Sequence, residues 1–111
     1  MPFSPHWNND YKNIGNEEYI YAFERLVIPL LKQFDPELLF ISAGFDACSG
    51  DPIGQFDVKP NGFAYMTKRL TEVVQNERII AALEGGYNCE RISQCSEEVV
   101  LALTGNCKSF F

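Results

Sequence analysis

Two residues with reactive side chains follow apolar runs of the same kind. Asp46 comes directly after Leu38-Leu39-Phe40-Ile41-Ser42-Ala43-Gly44-Phe45, and Tyr87 follows Arg78-Ile79-Ile80-Ala81-Ala82-Leu83-Glu84-Gly85-Gly86. Neither run alternates with polar residues, which is the pattern of a strand buried on both faces. In open α/β sheets, ligands bind beyond the carboxyl ends of the strands. A carboxylate at 46 can therefore be aimed at a metal or a substrate by a rigid strand. A phenol at 87, with an ordinary pKa of about 10, stays protonated at neutral pH and can donate a hydrogen bond. On pattern alone Asp46 could equally cap a turn, and Tyr87 could simply pack within a strand-to-helix turn.

Three helical patterns set these strands in place. Asn16 is suited to an N-cap, with Glu17 and Glu18 in the first turn complementing the helix dipole. Ile20, Phe23, Val27, Leu30, Leu31 and Phe34 then recur at helical spacing as one apolar face, with Tyr19 and Tyr21 flanking it. Pro29 falls inside this pattern and predicts a kink, and Asp35-Pro36 predicts its end. After the strand Leu38–Ser42, residues Cys48 to Lys59 read as a long loop punctuated by Gly50, Pro52 and Gly54. Pro60 opens a second helix with Phe63, Met66, Leu70, Val73 and Val74 buried. Lys59 before it cannot accept a capping bond, so Asp57 or water is expected to substitute. Met66 in this stripe is core packing. Asn88 caps a last helix with Ile92, Cys95, Val99, Val100 and Leu103 inward, and Gly105 stops it. The order helix, strand, loop, helix, strand, helix predicts a parallel α/β sheet.

Composition excludes several functions. A net charge of −6 argues against direct binding to DNA phosphates. The four cysteines (Cys48, Cys89, Cys95, Cys107) form no C-x-x-C pair and no disulfide framework. A reducing nucleus or cytosol is the expected setting. No run is long enough for a transmembrane helix, and the first residues do not read as a signal peptide. His6, the single histidine, sits among prolines and reads as a solvated loop residue rather than a metal ligand.

Two segments resemble one known family. Ser42-Ala43-Gly44-Phe45-Asp46-Ala47 followed by Gly50-Asp51-Pro52-Ile53-Gly54 is similar to the zinc-ligand segment of the class II-type (HDA1-like) histone deacetylases. Leu83-Glu84-Gly85-Gly86-Tyr87-Asn88 resembles the same family's tyrosine loop, and Trp7-Asn8 resembles the W-N preceding the first of these helices. The resemblance implies a three-layer α/β/α arginase/deacetylase-like fold built on a parallel sheet. Residues 1–111 would supply only the C-terminal part of that domain.

It also implies a chemistry. Such enzymes hold zinc with two carboxylates and a histidine, leaving a position open for water and substrate. Asp46 is one of the carboxylates by this resemblance, with the metal polarising the acetyl-lysine carbonyl and activating water. Tyr87 is the hydrogen-bond donor to the oxyanion. Gly85 and Gly86 let the backbone approach the acyl-lysine tunnel, and Ile53 lines its mouth. Acetylpolyamine-selective members carry a carboxylate where Ile53 stands, which speaks against that substrate. Tyr87 sets the chain apart from a subgroup with histidine there. Glu84 receives no role.

The remaining zinc ligands belong to a D-x-H motif and the general base to a histidine pair, neither of which occurs in these 111 residues. The implied function is zinc-dependent hydrolysis of acetyl-lysine in histones or other proteins by a full-length parent, with this chain alone inactive. Acetylated peptides or histone tails, and corepressor proteins, are the implied partners. DNA and membranes are not, and the expected location is nucleus, cytoplasm or both. An acetylpolyamine amidohydrolase of the same fold and a non-catalytic deacetylase-derived interaction module are the alternatives.

Overall fold

A computed structural model describes residues 14–107. The expectations placed on Met1 to Asn13, including His6 and Trp7-Asn8, lie outside the described residues. The helices are α1 (Asn16–Ala22), α2 (Ile28–Phe34), α3 (Pro60–Val73) and α4 (Cys89–Leu103), and the strands are β1 (Leu39–Ala43) and β2 (Ile79–Leu83). A short 3₁₀ turn, Gln75–Glu77, leads into β2.

No break separates α1 from α2. Phe23–Val27 joins them as a π-helical turn, and Pro29 falls in the first turn of α2. The missing proline N–H thus falls beside a local widening of the helix, a feature at which helices bend. The helix ends at Asp35, which takes the left-handed conformation (φ 52°, ψ 62°) and donates its N–H to the Leu31 carbonyl at 2.8 Å.

The predicted capping of α1 is corrected. Gly15 occupies the N-cap position, and Asn16 is already helical. The Asn16 carboxamide is used elsewhere: its Oδ1 accepts the Lys59 N–H at 2.8 Å, and its Nδ2 donates to Asn61 Oδ1 at 2.8 Å. Lys59 at the N-cap of α3 has no capping side chain of its own. A residue 43 positions earlier meets that need, in place of the expected Asp57 or water, because helix ends leave N–H groups that some acceptor must satisfy.

β1 and β2 pair in parallel, with Leu39 opposite Ile79, Phe40 opposite Ile80, Ile41 opposite Ala81, Ser42 opposite Ala82 and Ala43 opposite Leu83. The expectation of burial on both faces does not hold in this chain. Along β1, Leu39, Ile41 and Ala43 are half-buried while Phe40 and Ser42 are exposed, and β2 is exposed beyond Ile79. Alternating burial is the mark of a sheet covered on one face. Phe40 is 66% and Ile80 48% exposed, and the two stand opposite each other on the uncovered face, while Leu83, 62% exposed, projects from the other face at the end of β2.

The core lies where the carboxyl end of β1 meets α3 and α4. Phe45, Cys48, Cys95 and Val99 are buried together, with Ala43, Phe63, Ile92 and Leu103 packed around them. The Phe45 and Phe63 rings meet edge to face at 5.1 Å between centroids, an arrangement worth about 0.5–1.5 kcal/mol beyond burial. The inward stripe of α3 runs through Met66, Thr67 and Leu70 to Val74 just beyond its end. Contrary to expectation, Leu30, Phe34 and Val100 are exposed. Among the described residues no helix is long and apolar enough to cross a membrane.

Candidate active site

The loops after β1 and β2 are held side by side. Glu84 N–H donates to the Ala43 carbonyl at 3.0 Å, and Phe45 N–H donates to the Gly85 carbonyl at 2.8 Å. The strand ladder is thereby extended into both loops. Residues 46 and 87, separated by 41 positions, arrive at the same edge of the sheet. Parallel pairing is what makes this possible, since it puts both carboxyl ends on one side.

The Asp46 carboxylate rests against glycine backbone. A Cβ at Gly85 would sit 2.8 Å from Asp46 Oδ2, and one at Gly44 would sit 3.4 Å from Oδ1. Gly54 presses on the main chain of the same residue: a Cβ there would fall 1.7 Å from the Asp46 carbonyl oxygen. Only glycine fits at 54 and 85 without displacing Asp46. Gly86 has φ +132°, a conformation that L residues rarely adopt, and it turns the chain toward Tyr87 and α4. Tyr87 itself is 56% exposed, and Ile53 is 65% exposed. α4 then starts from Asn88, whose Oδ1 accepts the Arg91 N–H at 3.2 Å, as its sequence position predicts.

In the sequence Asp51 is only a landmark within Gly50-Asp51-Pro52, but the structure places it at the centre of the two loops. Its side chain is buried. Oδ1 accepts the N–H groups of Ile53 at 2.8 Å and Gly54 at 2.9 Å, while Oδ2 accepts the N–H of Tyr87 at 2.8 Å. Burial pushes this carboxyl up, but the three main-chain donors from Gly54, Ile53 and Tyr87 prevail and hold it below the usual carboxylate range. The signal for half of this was in the sequence: an aspartate bonding the N–H groups two and three residues on is an Asx turn. The bond to Tyr87 had no such signal.

Tyr19 also belongs near the site. Burial raises its phenol, and the charge of Asp46 raises it further, so the two are within electrostatic reach. Its ring stands edge-on to Phe56 at 6.2 Å. Beneath the loops, the Cys95 thiol donates to Cys48 Sγ at 3.3 Å in the buried core.

A family model described as the histone deacetylase domain matches residues 5–103. The chain belongs to the histone deacetylase family. It is 44% identical over 92 residues to histone deacetylase clr3 of Schizosaccharomyces pombe, a match covering 83% of this chain and 13% of that protein. It is 43% identical over 100 residues to the polyamine deacetylase HDAC10 of Mus musculus, covering 90% of this chain and 15% of that protein. The solved structure of the histone deacetylase Clr3 superposes with a TM-score of 0.83 at 41% identity, over 87% of this chain and 16% of that one. The chain thus spans between about an eighth and a sixth of the length of these deacetylases, and its helices and parallel strands are part of their α/β fold.

Histone deacetylase family members are zinc enzymes, and the residues described here fit that metal only in part. Asp46 is an oxygen donor of the right type, cradled by Gly44 and Gly85. Among the described residues no group of three or more His, Cys, Asp or Glu side chains converges on a possible ion.

Proposed function

We propose that this chain is the C-terminal part of a class II-type, zinc-dependent lysine deacetylase domain, in which Asp46 is one metal ligand and Tyr87 the hydrogen-bond donor to the substrate oxyanion. One observation supports this most directly: the Asp46 and Tyr87 loops meet at the sheet edge, with Gly85 against the Asp46 carboxylate. Zinc, when bound, supplies Lewis-acid polarisation of the acetyl carbonyl and an activated water. The Tyr87 phenol donates a hydrogen bond to the carbonyl oxygen as negative charge builds there. Gly85 and Gly86 keep side chains out of the way of the acyl-lysine stem, and Ile53 gives that stem an apolar rim. The other two ligands and the general base come from residues outside this chain.

Acetylated lysine peptides or histone tails are the proposed substrates, corepressor proteins the proposed partners, and nucleus or cytoplasm the proposed location. The acid balance of the chain, −6, favours a basic tail over DNA. A second reading rests on the polyamine deacetylase among the relatives. The apolar Ile53 disfavours it, because a second cationic nitrogen calls for a carboxylate.

The test uses a complete domain in which this segment replaces the aligned segment of fission-yeast Clr3. Asp46→Ala should remove zinc and turnover of an acetyl-lysine peptide together. Tyr87→Phe should keep zinc and lower kcat by roughly two to three orders of magnitude, the scale of one oxyanion donor. Near-normal turnover in Tyr87→Phe defeats the oxyanion role. Preference for acetylspermidine over the peptide selects the polyamine reading, and a well-folded, zinc-free, inactive graft selects the non-catalytic module.

A further inference from the structure

Asp51 touches no reacting group, yet its one carboxylate bonds both the Ile53 loop and the Tyr87 main chain, beside Asn88 Nδ2, which donates to the Gly50 carbonyl at 3.0 Å. We propose that Asp51 is the positioning residue of this site: its buried carboxylate clamps the Tyr87 main chain to the loop that packs on Asp46. The inference rests on the role proposed above for Tyr87. The chain of contacts is short. Oδ1 gathers the N–H groups of Ile53 and Gly54, which tightens the turn. That turn holds Gly54 against the Asp46 carbonyl, with no room for a side chain between them. Oδ2 takes the Tyr87 N–H at 2.8 Å, across 36 residues of sequence. This carboxylate therefore joins the main-chain bond between Phe45 and Gly85 and the bond between Asn88 and Gly50 in fixing where Tyr87 stands relative to Asp46.

The clamp requires a group that accepts on both sides, and an ionised carboxylate is acceptor-only. Asparagine has the same shape but one acceptor oxygen and one NH₂ donor group. With its oxygen toward Ile53 and Gly54 it keeps two bonds and turns an NH₂ toward the Tyr87 N–H. Flipped, it opposes two donors. The first orientation is the less costly, so Asp51→Asn should release Tyr87 selectively while leaving the turn closed.

The experiment compares wild type and Asp51→Asn in the zinc-loaded Clr3 graft. Measured are zinc content, kcat and KM on an acetyl-lysine peptide, and amide exchange resolved to single residues. The expected result is one zinc per domain, KM within about twofold, and kcat lower by on the order of tenfold to a hundredfold, the scale of one charge-assisted hydrogen bond to a buried group. The Tyr87 amide should exchange faster by a similar factor, with Ile41 and Ala81 in the strands unchanged. A role in general stability would instead speed exchange in the strands and leave kcat per zinc-loaded domain intact, which overturns the proposal. So does an unchanged kcat with unchanged Tyr87 exchange. If Asp51→Asn does not fold, the wild-type domain decides: slow exchange at Tyr87 upholds the clamp, and exchange at the free-peptide rate overturns it. An inactive but folded wild-type graft would refute the catalytic reading, while the exchange comparison still tests the clamp.

Discussion

Gly85→Ala is a one-carbon perturbation aimed at the Asp46 carboxylate. The added Cβ would lie 2.8 Å from Oδ2 and 3.2 Å from Cγ. Comfortable non-bonded contact with carbon begins near 3.5 Å, so the carboxylate must retreat by roughly half an ångström or more. Metal–ligand distances tolerate only about 0.2 Å. The backbone has no objection of its own, because Gly85 is absent from the residues with positive φ. The cost should therefore fall on the metal site and not on folding. By analogy with disturbed supporting residues, zinc affinity should drop about tenfold to a hundredfold. Competition with a chromogenic chelator in the Clr3 graft measures this directly, with kcat at saturating zinc as a companion. Gly86→Ala is the control: at φ +132°, with Ile92 Cγ1 3.0 Å from the new Cβ, it should lower the melting temperature first. Zinc affinity within twofold of wild type in a folded Gly85→Ala domain would refute the assignment of Asp46 as a ligand braced by Gly85.

The isolated 111-residue chain should show no zinc-dependent turnover of an acetyl-lysine peptide; activity abolished by a chelator and not traceable to a contaminant would overturn the ligand count. The same chain should be oligomeric, aggregated or molten, because two strands make a marginal sheet and Phe40 and Ile80 are exposed side by side on one face of it. Phe40→Lys with Ile80→Lys should then improve solubility in size-exclusion chromatography, whereas a monodisperse wild-type monomer with strongly protected strands would disprove the point. Hydrogen bonds from Arg69, and then from Tyr65, hold the Glu24 carboxyl below its ordinary range. A depressed folded-state pKa stabilises above the unfolded value of about 4 and loses that contribution as pH falls through the folded one. The urea midpoint of the Clr3 graft should therefore exceed that of its Arg69→Gln variant at pH 7, and the gap should close in acid; a gap that is constant down to pH 2 contradicts the linkage.

Local elements were legible because they leave local marks. The apolar runs of β1 and β2, Pro60 at the start of α3, Asn88 at the cap of α4 and Gly105 after its end all stand within a residue or two of their predicted places. Side-chain destinations were less so. Helical spacing marked Leu30, Phe34 and Val100 as inward, yet all three are exposed, while Ile28 is buried. Periodicity identifies an apolar stripe, but what covers it depends on neighbouring elements.

The amino-acid sequence by itself determined the two strand-to-loop units, the glycines at 54, 85 and 86, and the family to which they belong. Those are encoded in short windows, where steric limits on the backbone and the order of apolar residues act directly. Only the tertiary structure decided how the windows meet. Asn16 caps α3 from 43 residues away, Asp51 reaches Tyr87 across 36, and Tyr19 comes within the field of Asp46. A polar side chain bonds whichever unsatisfied group the fold brings to it. Its partner is set by where the chain returns in space, and no nearby residue records that choice.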